Sequence, residues 1–278
     1  MKHMRLFTLL IAFIALLPLS AEKIGDEVTI EVTIRGKTES KNMSLRHISE
    51  YDKNGNMIYD EDGQLWKKFE YDARGNQIHC ITPGGESWIE YKYDSAGNLV
   101  YEKETYKGSK KSTEWYYTYD SRGNKTSAKM AGFAETKYVY DSDDNLIYEG
   151  STTNFSIADS GTWYQYDENG NKIYSKTVYS SGGDPSERWY KYDSSGRLVQ
   201  EDSNSGDVSI YEYDSFGAGI DVHRKMKYNG SWSECWYGYE KNGELQYQLS
   251  DTGYIDWYEY TFWGNGKVKT KKAWGLIW

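Results

Sequence analysis

Trp163-Tyr164-Gln165-Tyr166-Asp167-Glu168-Asn169-Gly170-Asn171-Lys172-Ile173-Tyr174 is the stretch that decides the fold. Its first part crowds aromatic side chains, which fit a pleated, half-buried surface. Successive strand side chains point to opposite faces, so Tyr164 and Tyr166 share one face and Trp163 takes the other. Asp167 can accept hydrogen bonds from the backbone two residues on, and Gly170 supplies the positive φ of a tight reversal. A type I turn closed by a glycine bulge is the natural geometry. Lys172-Ile173-Tyr174 then reads as a returning strand, so the stretch is one β-hairpin.

The same phrase recurs along the chain. Tyr51-Asp52 is followed by Gly55-Asn56, Tyr71-Asp72 by Gly75-Asn76, Tyr93-Asp94 by Gly97-Asn98 and Tyr119-Asp120 by Gly123-Asn124. Tyr192-Asp193 carries Gly196-Arg197 instead, and degenerate copies begin at Tyr140, Tyr213, Tyr239 and Tyr260. These ten starts are spaced by either 20–22 or 26 residues. Such a toggle means a fixed unit with an optional insertion at one place. The insertion falls opposite the Asp turn, as in Tyr179-Ser180-Ser181-Gly182-Gly183-Asp184-Pro185, so the variable loops share one end of the hairpins. The expected fold class is all-β, an array of about ten β-hairpin repeats forming a long twisted or curled antiparallel sheet.

Composition agrees. Tyr (28) and Trp (11) are abundant while Pro (3) and Phe (7) are scarce. At the N-terminus, Lys2 and Arg5 precede the apolar run Leu6–Leu17, and Leu19-Ser20-Ala21 suits signal-peptidase cleavage. Residues 1–21 are therefore expected to be a signal peptide and 22–278 one continuous repeat domain, secreted, periplasmic or at the cell surface. The apolar run is short for a bilayer span, and no other stretch approaches one. The net charge is −9, and it becomes more negative once Lys2 and Arg5 are removed. That sign disfavours nucleic acid, which needs a basic footprint. Cys80 and Cys235 lie in different repeats and are expected to remain unpaired. Val28-Thr29-Ile30-Glu31-Val32-Thr33-Ile34 alternates with period two and reads as a leading strand capping the first repeat. The apolar Trp274–Trp278 segment is expected to close the other end.

The phrase Tyr-Asp-x-x-Gly-Asn/Arg-Leu/Ile, with Gly196-Arg197-Leu198 as its fullest form, resembles the RHS/YD-repeat family over roughly residues 49–270. The resemblance implies a β-hairpin array, which in large members spirals into a hollow shell around a toxic cargo. It also implies secreted or surface roles, including carbohydrate binding and adhesion. The chain departs from the large members in being far shorter, with no cargo enzyme after its repeats and no Pro-rich processing motif.

Trp88, Trp115, Trp163, Trp189, Trp236 and Trp257 recur at one place in the repeat. As an exposed stripe they would stack on sugar rings; otherwise they pack the sheet. A glycan or cell-envelope polymer is the expected partner, and a structural or protein-interaction scaffold is the alternative. Asp52, Asp72, Asp94, Asp120, Asp167 and Asp193 read as turn caps, since a calcium loop concentrates several oxygen ligands within a dozen residues. Asp141-Ser142-Asp143-Asp144-Asn145 is the densest acidic loop. His47, His79 and His223 have no metal-ligand spacing, and no nucleophile motif or phosphate-cradling loop occurs. Neither catalysis nor a cofactor is expected.

Overall fold

The computed structural model describes residues 23–34, 37–152, 160–214 and 220–277. The signal peptide expected at 1–21 lies outside them. Among the described residues there are 21 strands and no helix. They are β1 (Glu27–Ile34), β2 (Lys37–Tyr51), β3 (Met57–Asp62), β4 (Leu65–Tyr71), β5 (Gln77–Thr82), β6 (Gly85–Tyr93) and β7 (Leu99–Tyr106). Next come β8 (Ser112–Tyr119), β9 (Lys125–Met130), β10 (Glu135–Tyr140), β11 (Leu146–Thr152), β12 (Gly161–Tyr166), β13 (Lys172–Val178) and β14 (Ser186–Tyr192). The last are β15 (Leu198–Ser203), β16 (Val208–Asp214), β17 (Ile220–Tyr228), β18 (Ser231–Tyr239), β19 (Leu245–Ser250), β20 (Ile255–Phe262) and β21 (Val268–Leu276).

The reversals fall at the Asp-x-x-Gly-Asn phrases. Asp167 N–H donates to Asn171 O at 2.9 Å, and Gly170 N–H donates to Asp167 O at 3.0 Å. Gly170 has φ of 78°, the left-handed value that closes a type I turn with a bulge. The ladder slips between Gln165 and Tyr166, and it slips at the same place before Tyr51, Tyr93, Tyr119, Tyr140, Tyr192 and Tyr239. The extra residue lies on the return strand: Tyr166 pairs with Lys172 and Gln165 with Tyr174, which leaves Ile173 without a partner in the ladder. At Asp141–Asn145 no glycine is present, and Asp144 itself takes φ of 65°. Asp tolerates that conformation better than most side chains.

The chain divides into two compact units. One comprises the described residues of Met1–Lys68, Glu212–His223 and Glu234–Trp278; the other comprises Phe69–Tyr211 and Arg224–Ser233. In the first, Met43, Leu45, Ile48, Leu249, Ile255 and Trp274 form a buried cluster, with Ile24 and Val28 packed against it. The leading strand thus covers the core, as its aliphatic alternation suggests. In the second, Ala128 is the buried hydrophobic residue among those described, beside buried Ser87, Ser127 and Ser175. Cross-strand aromatic pairs, each contributing about 0.2–1 kcal/mol, carry the packing there instead.

The expectation of a long twisted or curled antiparallel sheet is corrected at the seam of the first unit. All 21 strands belong to one sheet. In it β2 pairs antiparallel with β3 along one edge and with β21 along the other, from Met43↔Leu276 to Glu50↔Thr270. The first and last repeats are thus hydrogen-bonded to each other within this unit, so the array is not a twisted ribbon with two free end strands. The driving force is the row of N–H and C=O groups that two end strands would otherwise leave unpaired. The first and last turns are zipped as well: Trp263 Nε1 donates to Tyr51 O at 3.0 Å and Asn265 Nδ2 to Lys53 O at 2.8 Å. Trp274 to Leu276 accordingly lie against the N-terminal strands, not at a distant end.

Candidate functional site

The six recurring tryptophans are each paired with a ring. In the second unit Trp88 stacks on His79, with centroids 5.0 Å apart and planes 9° apart, across the His79↔Trp88 register of β5 and β6. Trp163 meets Tyr148 at 5.0 Å and Trp189 meets Tyr174 at 5.7 Å, both directly cross-strand. Trp115 stacks on Tyr117 of its own strand at 6.5 Å. In the first unit Trp257 stacks on Tyr247 at 6.4 Å and Trp236 on His223 at 4.6 Å. Only Trp88 and Trp189 are exposed, at 39% each; the other four are half-buried. The structure thus engages one side of each indole with a ring, and all but the Trp115 pair join two strands.

Glycines make room for these pairs. A Cβ on Gly238 would lie 2.1 Å from Cε1 of Tyr247, and one on Gly150 would lie 2.0 Å from Oη of Tyr148.

The motif tyrosines are engaged too. In the second unit the hydroxyls of Tyr119, Tyr166 and Tyr192 donate to the carbonyls of Leu99, Leu146 and Lys172 at 2.8, 2.8 and 2.9 Å. Each acceptor opens the return strand of the preceding hairpin, so the hydroxyl latches one repeat to the last. Two residues earlier, Tyr117 donates to Glu102, and Tyr164 donates to Glu149 in a short contact. Burial first and these carboxylates next raise both phenols well above the ordinary tyrosine value. The β6 repeat departs from this pattern. There Tyr91 takes the Gln77 carbonyl at 2.7 Å, and the buried hydroxyl of Tyr93 has no partner. Arg74 covers the Tyr93 ring at 4.4 Å, beside an open depression lined also by Ile78 and Ile89.

The repeated aspartates cap their turns. Asp167 Oδ1 accepts from the N–H groups of Asn169 and Asn171 at 3.0 and 2.8 Å, and Oδ2 accepts from Asn171 Nδ2 at 2.9 Å. The pattern repeats at Asp52, Asp72, Asp94, Asp120 and Asp141, and Arg197 replaces Asn at Asp193. The side-chain amides of Asn76, Asn98 and Asn171, with the backbone donors behind them, hold Asp72, Asp94 and Asp167 below the usual carboxylate range. In the densest acidic loop, Asp144 faces Arg122 at 2.8 Å and accepts from Asn124 Nδ2 at 2.6 Å. Among the described residues no three His, Cys, Asp or Glu side chains converge as metal ligands would. Neither Cys80 nor Cys235 takes part in a disulfide.

The histidines lie apart. In the first unit His47 Nε2 is 2.6 Å from Asp60 Oδ1 and 3.3 Å from Ser49 Oγ, while Ser49 also donates to Asp60 at 2.8 Å. A catalytic triad places serine and carboxylate on different ring nitrogens. Here both address Nε2, and Ser49 is buried, so this trio ties β2 to β3 and does not activate a nucleophile.

One feature lay outside the tryptophan reading. In the second unit, Tyr106, Phe133, Tyr179, Tyr228 and Trp232 are exposed at 43, 67, 49, 67 and 53%. All five sit at or beside the connections opposite the Asp turns: β7–β8, β9–β10, β13–β14 and β17–β18. The available sign was their position, since each adjoins a variable loop rather than the Trp-Tyr-x-Tyr run. The Asp-turn ends of these same hairpins carry Asp, Asn and Gly instead.

No family model matches the chain, and no curated protein matches it. Among solved structures it is similar to a chain in a crystal structure of TcdB2-TccC3-TEV, at 12% identity over 85% of this chain and 16% of that one, with a TM-score of 0.34. A crystal structure of TcdB2-TccC3-Cdc42 gives 9% identity over 90% of this chain and 20% of that one, with a TM-score of 0.35. The Photorhabdus luminescens Tc holotoxin pore gives 14% identity over 87% and 17%, with a TM-score of 0.32. The chain therefore spans a fifth or less of the length of these neighbours. Among the described residues no helix is long and apolar enough to cross a membrane.

Proposed function

We propose that this chain is a non-catalytic scaffold, exported from the cell, that presents the aromatic loop ends of its second unit to a protein surface. The observation that carries the reading is where the exposed aromatics lie. The repeated Trp, Tyr and Asp groups serve the sheet's own pairs, latches and caps, whereas Tyr106, Phe133, Tyr179, Tyr228 and Trp232 hold out large rings at the hairpin ends opposite the Asp turns. Tyr and Trp are enriched among residues that dominate interface energy, and exposed apolar area at loop tips invites a partner.

The test replaces all five with serine in one variant. Melting temperature and circular dichroism should stay at the parental values, while capture of surface proteins that the parent recovers drops by tenfold or more. Equal capture by parent and variant would sink the proposal. A glycan reading keeps the partly exposed Trp88 and Trp189 as its footing. It expects Trp fluorescence to respond to a glycan panel and the response to vanish in a Trp88→Ala, Trp189→Ala variant.

A further inference from the structure

In the first unit β2, β3, β19, β20 and β21 are each hydrogen-bonded along both edges. β1 is different. Its eight residues pair with Ser44 back to Lys37 of β2, and among the described residues no strand pairs with its other edge. The groups on that edge follow from the ladder. Asn42 O accepts from Ile277 N–H at 3.0 Å, so it points toward β21 and away from β1. Thr29, opposite Asn42, therefore sits at a non-hydrogen-bonded position of the β1–β2 ladder. Its own N–H and C=O point outward, and by the period of two so do those of Glu27, Glu31 and Thr33.

The charge on this edge is one-sided. Glu27, Thr29 and Glu31 share a face and are exposed. Their cross-strand neighbours on β2 are Ser44, Asn42 and Ser40, none of them charged. Ser40 Oγ donates to Glu31, and Thr29 Oγ1 donates to Asn42 Oδ1 at 2.9 Å, so hydroxyls and an amide are the neighbours these carboxylates have along the ladder. A second copy adding antiparallel would bring two more glutamates to the same face with no cation among them. A strand with Lys or Arg four residues apart on one face supplies the complementary charge.

We infer that the outer edge of β1 is a β-augmentation site for an extended protein segment with basic residues four apart on one face. The segment adds as a strand, its backbone bonding the outward N–H and C=O groups of Glu27, Thr29, Glu31 and Thr33 while its cations meet Glu27 and Glu31. This surface shares no residue with the aromatic loop ends and stands or falls separately.

The test uses the full mature chain and two synthetic probes, acetyl-Lys-Val-Thr-Val-Lys-Val-Thr-amide and the same peptide with Glu for both Lys. Hydrogen exchange is followed at the amides of residues 27–34. The basic peptide should slow exchange at Glu27, Thr29 and Glu31 at least tenfold, and the acidic peptide should not. Thr29→Pro removes an outward N–H and leaves the β1–β2 backbone bonds in place, at the cost of the exposed Thr29–Asn42 side-chain bond; it should abolish the protection while Thr29→Val, which loses that side-chain bond alone, keeps it. Should that variant misfold, the Glu27→Lys, Glu31→Lys variant carries the test by switching preference to the acidic peptide. Equal protection by both peptides, none by the basic peptide at millimolar concentration, or the same protection without peptide in a concentration-dependent dimer would each overturn the inference.

Discussion

Gly275 offers the sharpest test of sheet closure. It lies on β21 opposite Ser44, where the ladder with β2 slips past Arg46. The Arg46 side chain fills the space a side chain at 275 would take: a Cβ there would lie 2.1 Å from Nε, 2.2 Å from Cζ and 2.4 Å from Cδ. Arg46 Nη2 donates to Leu276 O at 2.6 Å, and Nη1 donates to Tyr254 Oη at 3.2 Å. Gly275→Ala must expel the guanidinium and forfeit both bonds. A hydrogen bond to a charged group is worth roughly 1.5–3 kcal/mol, and alanine recovers roughly 0.5–1 kcal/mol over glycine in a strand. Partial solvation of the pair trims the loss, so a net cost of about 2–3 kcal/mol is expected. Urea unfolding midpoints of Gly275→Ala, Arg46→Ala and the double variant read it out. With Arg46 already truncated, Gly275→Ala should become neutral or stabilising, a reversal of sign. If alanine at 275 costs the same with and without Arg46, the seam does not work through this contact and the reasoning is refuted.

Two further outcomes follow from the repeat. Gly238→Ala drives a methyl into the Tyr247 ring and should break its stacking on Trp257, costing about 1–3 kcal/mol as an overpacked site; loss of the near-ultraviolet dichroism of that pair at retained far-ultraviolet signal checks it, and an unchanged spectrum counts against the pairing. The seven turn aspartates Asp52, Asp72, Asp94, Asp120, Asp141, Asp167 and Asp193 all lie below their ordinary value in the fold, so their contribution is present above the unfolded carboxylate pKa of about 3.9 and is lost as pH falls through the depressed values. The unfolding midpoint should therefore drop steeply below about pH 4, and Asp→Asn at several turns should flatten that drop; an equally steep fall in the substituted chain would show that other carboxylates govern it.

The hairpins were legible because each is decided within five residues. Asp167, Gly170 and Asn171 meet one another whatever the rest of the chain does, so the turn, its bulge and its cap follow from local chemistry. The leading strand was legible for the same reason: Val28 recurs with period two and finds the core that its alternation requires. Closure was not legible. It depends on Met43 meeting Leu276, a pairing between residues from opposite ends of the chain that no periodicity encodes. The repeat position of the tryptophans was legible, but the ring that each one meets was not. What covers Trp163 is Tyr148, which lies in the return strand of the preceding hairpin. The clue was in view, because Leu146-Ile147-Tyr148 and Lys172-Ile173-Tyr174 end alike. Reading it requires the register of neighbouring repeats as well as the hairpin within one.

That distinction bears on where function sits. A group that recurs in every repeat is under the same structural demand each time, and here the demand is visible: the aspartate caps, the motif tyrosine latches and the tryptophan pairs. Each group so engaged commits a carboxylate, a hydroxyl or one ring face to the sheet itself. On the function proposed above, recognition falls to what does not recur. The hairpin ends opposite the Asp turns carry exposed rings, and the outer edge of β1, which no strand covers among the described residues, bears glutamates whose direct cross-strand neighbours are uncharged. Both lie where the repeat pattern is interrupted, and both expose chemistry that the interior of the sheet satisfies for itself.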